Sequence, residues 1–142
     1  KLKVGGHMNL IADENKIIKL SSSERDIMEL FWNEKDGLSF GEIINLVNQD
    51  DSNIRKKQTI NTYLTRLIAK NLLIKKNGDT RLKTLYFPKY TKEEYNRKMI
   101  EKLLEENYEN SLLEFIKQLS GGEYLSKEDA QKIINVLEKD KN

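Results

Sequence analysis

The chain has 142 residues, of which 37% are hydrophobic and 34% are charged, so it is polar but apolar enough to build one ordinary core. It has no cysteine and one histidine, His7, which excludes disulfides and thiolate metal sites and removes the commonest acid–base side chain. We therefore expect no cofactor and no metal, and an enzyme is disfavoured. No apolar run is long enough to cross a bilayer and no signal peptide is visible, so we expect a cytoplasmic protein without membrane contact.

The net charge of +2 is unevenly distributed along the chain. Residues 55–92 contain eleven Lys or Arg and one acid, a net charge of +10, whereas residues 1–54 and 93–142 each carry −4. A basic block between acidic flanks is typical of a surface that binds a polyanion. An ordinary solvated Lys-rich surface is the alternative at this point.

Two capping-box spacings predict the first two helices. They are Ser21 with Glu24 and Ser39 with Glu42, and each is followed by an apolar stripe at helical spacing. The predicted helices span about 22–33 and 39–48.

A third helix is predicted over about 56–70, with a buried stripe of Ile60, Leu64, Leu67 and Ile68. The opposite face consists of Gln, Asn and Thr, which are poorer helix formers than Glu or Lys but good partners for base edges and phosphates. This polar face comprises Gln58, Asn61, Thr62, Thr65 and, at its edge, Arg66. Its composition indicates a function other than helix stability, although Thr and Asn can also occur on an exposed face by chance.

A basic hairpin is predicted after the third helix. Asn71 is expected to end that helix in the left-handed conformation. Strands over about 72–76 and 82–87 are joined by the turn Asn77-Gly78-Asp79, and Pro88 is expected to end the second strand. Leu38 and Ser39 suit a very short first strand. Three helices followed by a basic hairpin, or wing, are typical of the winged helix-turn-helix.

We therefore predict that the third helix enters the major groove of double-stranded DNA while the wing contacts the backbone. The residues predicted to contact DNA are Arg55, Lys56, Lys57, Gln58, Thr59, Asn61, Thr62, Thr65, Arg66, Lys75, Lys76, Arg81 and Lys83.

The C-terminal third is predicted to be helical and to form a dimer. Thr91 with Glu94 is a third capping box that begins a long helix over about 92–119, and a last helix begins near Ser126. The sequence shows no second core in which the apolar stripe of these helices could be buried, so we expect the stripe to pack against a second copy of the chain. Packing against the first helix of the same chain is the alternative. The predicted dimerisation residues are Tyr95, Met99, Leu103, Leu104, Tyr108, Leu112, Leu113, Ile116, Ile133, Ile134 and Leu137.

The predicted fold class is thus mainly α. It combines an N-terminal winged helix-turn-helix domain, residues 9–90, with a C-terminal helical dimerisation arm, residues 91–142. We interpret Lys1–Met8 as an expression-tag remnant and exclude it from fold reasoning.

The chain resembles the penicillinase-repressor family, which includes the BlaI, MecI and CopY repressors. The third helix carries the most specific match, Thr59–Leu67 followed by Lys70. Further matching segments are Leu20–Glu24, Met28, Trp32, Glu42–Ile44, Tyr86–Pro88 and Leu125–Asp129. Together these segments extend over nearly all of residues 20–139.

The resemblance implies a homodimeric repressor that binds a palindromic operator and controls β-lactam-resistance or, in one branch, copper-export genes. Thr59, Thr62 and Arg66 correspond to the polar residues of the family motif. Gln58 and Asn61 depart from it, so the operator sequence is expected to differ. Asn71 replaces a common Gly, which is a mild change for a helix cap.

Two departures concern regulation. The copper branch carries a cysteine metal site, which this chain lacks. The β-lactam branch implies a membrane sensor-protease partner and cleavage in the dimerisation helix, for which Lys98-Met99 is the nearest equivalent. Two alternatives remain open: a winged helix that binds an acidic protein, and a repressor that responds to an unrelated signal.

Overall fold

The structure is a computed structural model that describes residues 19–34 and 36–140, without the side chains of Asp51, Arg81 and Asp140. The predicted tag remnant therefore lies outside the described residues. The chain divides into two compact units, Lys1–Asn96 and Arg97–Asn142. Its elements are α1 (Ser22–Asn33), α2 (Phe40–Val47), α3 (Lys57–Ala69), β1 (Leu73–Lys76), β2 (Leu85–Pro88), α4 (Lys92–Asn107), α5 (Leu112–Leu119) and α6 (Lys127–Asp140). The mainly α class with a small antiparallel sheet is confirmed.

The predicted capping boxes are present at three helix starts. At α1 the Ser21 Oγ accepts the Glu24 N–H at 3.2 Å, and Glu24 Oε1 accepts the Ser21 N–H at 2.8 Å. The corresponding distances at α2, between Ser39 and Glu42, are 3.2 and 2.9 Å. At α4 the same reciprocal pair forms between Thr91 and Glu94. Each box satisfies backbone donors that a helix start leaves unpaired.

The core of the first unit is formed by α1, α2, α3 and the sheet. Its buried apolar residues are Leu20, Ile27, Met28, Phe31, Leu38, Ile43, Ile60, Leu64, Leu67, Leu72, Leu73, Tyr86 and Tyr95. The predicted stripe of α3 is confirmed except that Ile68 is only partly buried. Asn71 has φ 65°, as predicted for the residue that ends this helix.

The wing is an antiparallel pair in which Ile74 faces Phe87 and Lys75 faces Tyr86. The predicted first strand is a single bridge, in which Leu38 and Tyr86 exchange backbone hydrogen bonds of 2.9 and 2.8 Å.

The predicted tight turn in the wing is wrong. The connection runs over residues 77–84 and contains a 3-10 turn, Arg81–Lys83, so β2 begins at Leu85 rather than near residue 82. It ends at Pro88, as predicted. Gly78 lies so close to Lys83 that a Cβ on Gly78 would overlap it, and the Lys83 N–H donates to the Thr80 carbonyl at 3.0 Å. The chain thus folds back on itself before β2 begins.

The second unit has a small core of its own. Ile116, Ala130 and Ile134 are buried where α5 packs on α6, and Leu113, Phe115, Leu125 and Leu137 pack around them. The expectation that these helices lack a core is therefore wrong.

The predicted continuous helix over 92–119 is also wrong, because α4 ends at Asn107 and α5 begins at Leu112. Glu109 and Asn110 have φ of 51° and 62°, which a right-handed helix does not tolerate. None of the described helices is long and apolar enough to span a membrane.

Candidate nucleic-acid interface

Helix α3 packs one face against the core of the first unit and leaves the opposite face in solvent. Ile60, Leu64 and Leu67 are 0–1% exposed, so the residues half a turn away face solvent. The exposed residues are Gln58, Asn61, Thr62, Thr65 and Arg66, whereas Thr59 is half-buried. Five of the six predicted DNA-contacting residues from 58 to 66 thus lie on the exposed part of the helix.

The polar groups of this face differ in hydrogen-bonding state. The Thr62 hydroxyl donates to the Gln58 carbonyl oxygen and the Thr65 hydroxyl to the Asn61 carbonyl oxygen, each at 2.9 Å. Among the described residues, the side-chain amides of Gln58 and Asn61 have no such partner. The amides can therefore both donate and accept, whereas the threonines retain only an oxygen acceptor and a methyl group.

A groove of about 780 Å³ lies between the start of α2, the start of α3 and the wing. It brings Lys57, Gln58 and Asn61 of α3 to the same opening as Lys75 of β1. The remaining lining residues are Ser39, Phe40, Gly41, Ile44, Asn77, Leu82, Thr84 and Tyr86. Amides of α3 and a wing cation thus share one concave surface.

The wing cations lie against aromatic rings or in solvent. Lys75 Nζ is 5.9 Å from the centroid of Tyr86 and Lys76 Nζ is 4.9 Å from that of Phe87. Lys83 is exposed, and its 3.9 Å pair with the still more exposed Asp79 contributes little. The predicted Arg81 contact concerns a side chain outside the described part of the structure.

Arg55 is held more firmly than its neighbours Lys56 and Lys57, which are exposed. Asn48 Oδ1 accepts the Arg55 N–H at 2.8 Å, and Asn48 Nδ2 donates to the Arg55 carbonyl oxygen at 3.1 Å. The Arg55 guanidinium lies 5.6 Å from the Tyr63 ring centroid. The side chain of Asn48 therefore fixes the backbone of the segment that leads into α3.

Sequence reasoning missed two exposed apolar residues in this region. Leu82 is 90% exposed in the wing loop, and Ile54 is 64% exposed just before α3. Leu82 was assigned to a strand, where it would have been partly covered. The available signal was its position between Arg81 and Lys83, because a single apolar residue between two basic residues is more typical of a loop than of a strand.

Residues 20–139 match the family model described as penicillinase repressor. The chain belongs to the penicillinase repressor family. Members of this family are transcriptional repressors rather than enzymes. No curated protein matches the chain. The matched region includes α3, the wing and residues 97–139 of the second unit.

Apart from Tyr95, the predicted dimerisation residues occupy three environments. Leu103, Leu112 and Ile133 are 40%, 45% and 37% exposed. Ile116 and Ile134 belong to the core of the second unit. The half-buried remainder are Met99, Leu104, Tyr108, Leu113 and Leu137.

Tyr95 differs from all of these because it lies in the first unit. It is 1% exposed, and its ring centroid is 5.3 Å from that of Trp32. Burial raises the pKa of its hydroxyl. Its ring is therefore already covered within its own chain.

Lys98 and Met99, the predicted cleavage position, are half-buried within α4. Among the described residues, no cluster of His, Cys, Asp and Glu that could hold a metal ion is present.

Proposed function

We propose that this chain is a sequence-specific DNA-binding repressor that acts as a homodimer on a palindromic operator. The observation that carries the proposal is the groove in which Gln58 and Asn61 of α3 open beside Lys75 of the wing. Amide side chains pair with base edges in the major groove, and lysines pair with phosphates. One surface thus combines a base reader with a backbone anchor.

The distribution of charge supports the same DNA-binding surface. The segment 55–92 carries the net charge of +10, and its described lysines at 56, 57, 75, 76 and 83 are exposed. Neutralising phosphates with these groups releases counterions, so affinity is expected to fall steeply as salt rises.

The dimer is supported by apolar groups that the second unit leaves in solvent. Ile100, Leu103, Leu112, Ile133 and Val136, all at positions in the second unit, are 37–59% exposed. Covering such groups with a second copy removes apolar surface from water. The two copies would place two α3 helices about one DNA turn, or a multiple of it, apart on a palindrome.

The test is a binding titration by fluorescence anisotropy, with duplex DNA from upstream of the chain's own gene and random duplex as competitor. We expect specific binding, with a binding constant whose logarithm falls linearly with the logarithm of the salt concentration. Asn61→Ala should reduce the preference for upstream over random DNA, whereas Arg66→Ala should weaken both. Lys132→Ala, at a 70% exposed side chain of α6, is the control.

Two outcomes count against the proposal. Equal losses on both DNAs for Asn61→Ala would remove it as a base reader. Binding that favours an acidic protein over every duplex would support the protein-interaction alternative.

For regulation, we propose the β-lactam-resistance type, since the sequence has no cysteine for a metal site like that of the copper branch. Release would follow cleavage by a membrane sensor-protease at Lys98-Met99. Because that bond lies within α4, the helix must open locally before a protease can bind it. Mass spectrometry of the chain from induced cells tests this, and an intact chain after induction would exclude cleavage as the release step.

A further inference from the structure

The outermost line of α3 is a ridge of four residues. Gln58, Thr62, Thr65 and Ala69 follow one another at intervals of four, three and four residues, which keeps them on one side of a helix. All four are exposed, and they lie opposite the buried stripe. Asn61 and Arg66 flank this ridge. The ridge is therefore the face of α3 that points away from the core of the first unit.

Most of the ridge offers methyl groups rather than hydrogen-bond donors. The hydroxyls of Thr62 and Thr65 are both committed to backbone carbonyls one turn earlier, at 2.9 Å. Each threonine then presents a methyl group and an oxygen that only accepts, and Ala69 presents a methyl alone. Gln58 is the single donor on the ridge.

We propose that Thr62, Thr65 and Ala69 specify thymine through its 5-methyl group. This inference rests on the proposed function, because it requires α3 in the major groove. Thymine is the only base that carries a methyl in that groove, and Thr and Ala methyls are its usual apolar partners. Guanine is usually read by Arg or Lys, and the ridge carries neither.

The expected effect per contact follows from burying one methyl group. Removing a methyl from the DNA at a contacted position should weaken binding about fourfold. The competing reading is that the threonine oxygens accept a hydrogen bond from an adenine or cytosine amino group. That reading predicts no dependence on the thymine methyl.

The experiment compares DNA that differs only in these methyl groups. Binding sites are selected from random duplex pools with the full chain, and the winning site is resynthesised with deoxyuridine in place of one thymine at a time. Base pairing is unchanged, so each replacement removes only the methyl. We expect about fourfold weaker binding at one or two positions per half-site. Positions outside the half-sites provide the control.

Paired variants assign the effect to the ridge. Thr62→Ser and Thr65→Ser keep the hydroxyl and lose the methyl, so the thymine-over-uracil preference should disappear at the contacted position. Thr62→Val and Thr65→Val keep methyl groups and should retain that preference. Circular dichroism checks that each variant is folded, and the uracil series on the unaltered chain needs no variant.

The outcomes separate this inference from the proposed function. Selective DNA binding that is insensitive to uracil at every position overturns the methyl inference and leaves the repressor proposal intact. Loss of the preference in the Val variants but not in the Ser variants also overturns it, in favour of the oxygen. No enrichment from any pool overturns both.

Discussion

Lys70 Nζ lies 2.5 Å from Oε1 of Glu24, although the two residues are 46 positions apart in the sequence. The Glu24 side chain is 2% exposed, and the same oxygen accepts the Ser21 N–H at 2.8 Å. Lys70 is the C-cap residue of α3 and also donates to the Lys19 carbonyl oxygen at 3.2 Å. A buried carboxylate therefore joins the first turn of α1 to the end of the proposed reading helix.

Replacing Lys70 with Met is expected to destabilise the first unit by about 3 kcal/mol, because the Glu24 carboxylate would remain buried without its cation. The matched control is Lys92→Met, which breaks a 3.0 Å pair with Glu29 where both side chains are at least 36% exposed. That change should cost less than about 1 kcal/mol. Urea unfolding followed by the fluorescence of Trp32, the only tryptophan, measures both. Similar losses of unfolding free energy in the two variants would contradict the view that the burial of Glu24 makes its pair with Lys70 the more important one.

The same pair predicts a dependence of stability on pH. Although burial by itself raises the pKa of Glu24, hydrogen bonds from Lys70 and Ser21 outweigh it and hold that pKa below its ordinary value of 4.5. A carboxyl with a lowered folded-state pKa stabilises the fold above its unfolded-state pKa, and the stabilisation is lost as pH falls through the folded-state value.

The free energy of unfolding should therefore start to fall below about pH 5. Glu24→Gln removes this titration, so the stability difference between the unaltered chain and Glu24→Gln should shrink on acidification. Denaturant titrations at neutral and acidic pH measure it, and a difference that stays constant would rule out Glu24 as the source.

Tyr95 is expected to stabilise the first unit rather than the dimer. Tyr95→Ala would leave a cavity beside Trp32 and should cost about 4 kcal/mol of unfolding free energy. Tyr95→Phe keeps the ring and loses only the hydroxyl, which is bonded to the Leu20 backbone, so about 1 kcal/mol is expected. Chemical unfolding and sedimentation together decide the point. A Tyr95→Ala chain with normal unfolding but weaker dimerisation would restore the role that the sequence predicted.

Gly78→Ala is expected to damage the wing without unfolding the core. The added Cβ would overlap the Cβ and carbonyl oxygen of Lys83, so the loop must move. Since this loop is exposed, the cost in unfolding free energy should be only about 1 kcal/mol. DNA affinity should fall at least about fivefold, because the wing lysines would shift.

The stability control for that change is Gly41→Ala. Nothing lies within 4 Å of the added Cβ in α2, and alanine favours the helix, so stability should rise slightly. Unchanged DNA affinity in the Gly78→Ala chain would show that the wing does not contact DNA.

Ile133→Glu is expected to weaken the proposed homodimer. Ile133 is 37% exposed on α6, and a carboxylate there would have to be desolvated on association. The dissociation constant of the dimer should rise at least about tenfold. Gln131→Glu, at an exposed position of the same helix, adds the same charge and should leave it unchanged. Analytical ultracentrifugation over a concentration series distinguishes them, and equal behaviour would place the interface elsewhere.

Local patterns accounted for much of the fold and for most of the proposed interface. The capping boxes at Ser21, Ser39 and Thr91 were predictable because their partners lie three residues away. The exposed face of α3 followed from the helical period alone. The break after α4 also had a local signal, since Ser111 Oγ accepts the Glu114 N–H at 3.1 Å in a further cap of the same spacing. The apolar residues on both sides of that break concealed it.

The sequence by itself therefore determined the order of elements as far as the start of α4, the family and the polar face of α3, because these depend on residues a few positions apart. Only the tertiary structure decided that Tyr95 belongs to the core of the first unit, that Ile116 and Ile134 bury each other within one chain, and that Lys70 meets Glu24. Those contacts join residues far apart in the sequence, so they form only when the whole chain has folded and each apolar face has found its partner. A stripe of apolar residues in the sequence predicts that a face will be buried, but only the tertiary structure shows which surface covers it.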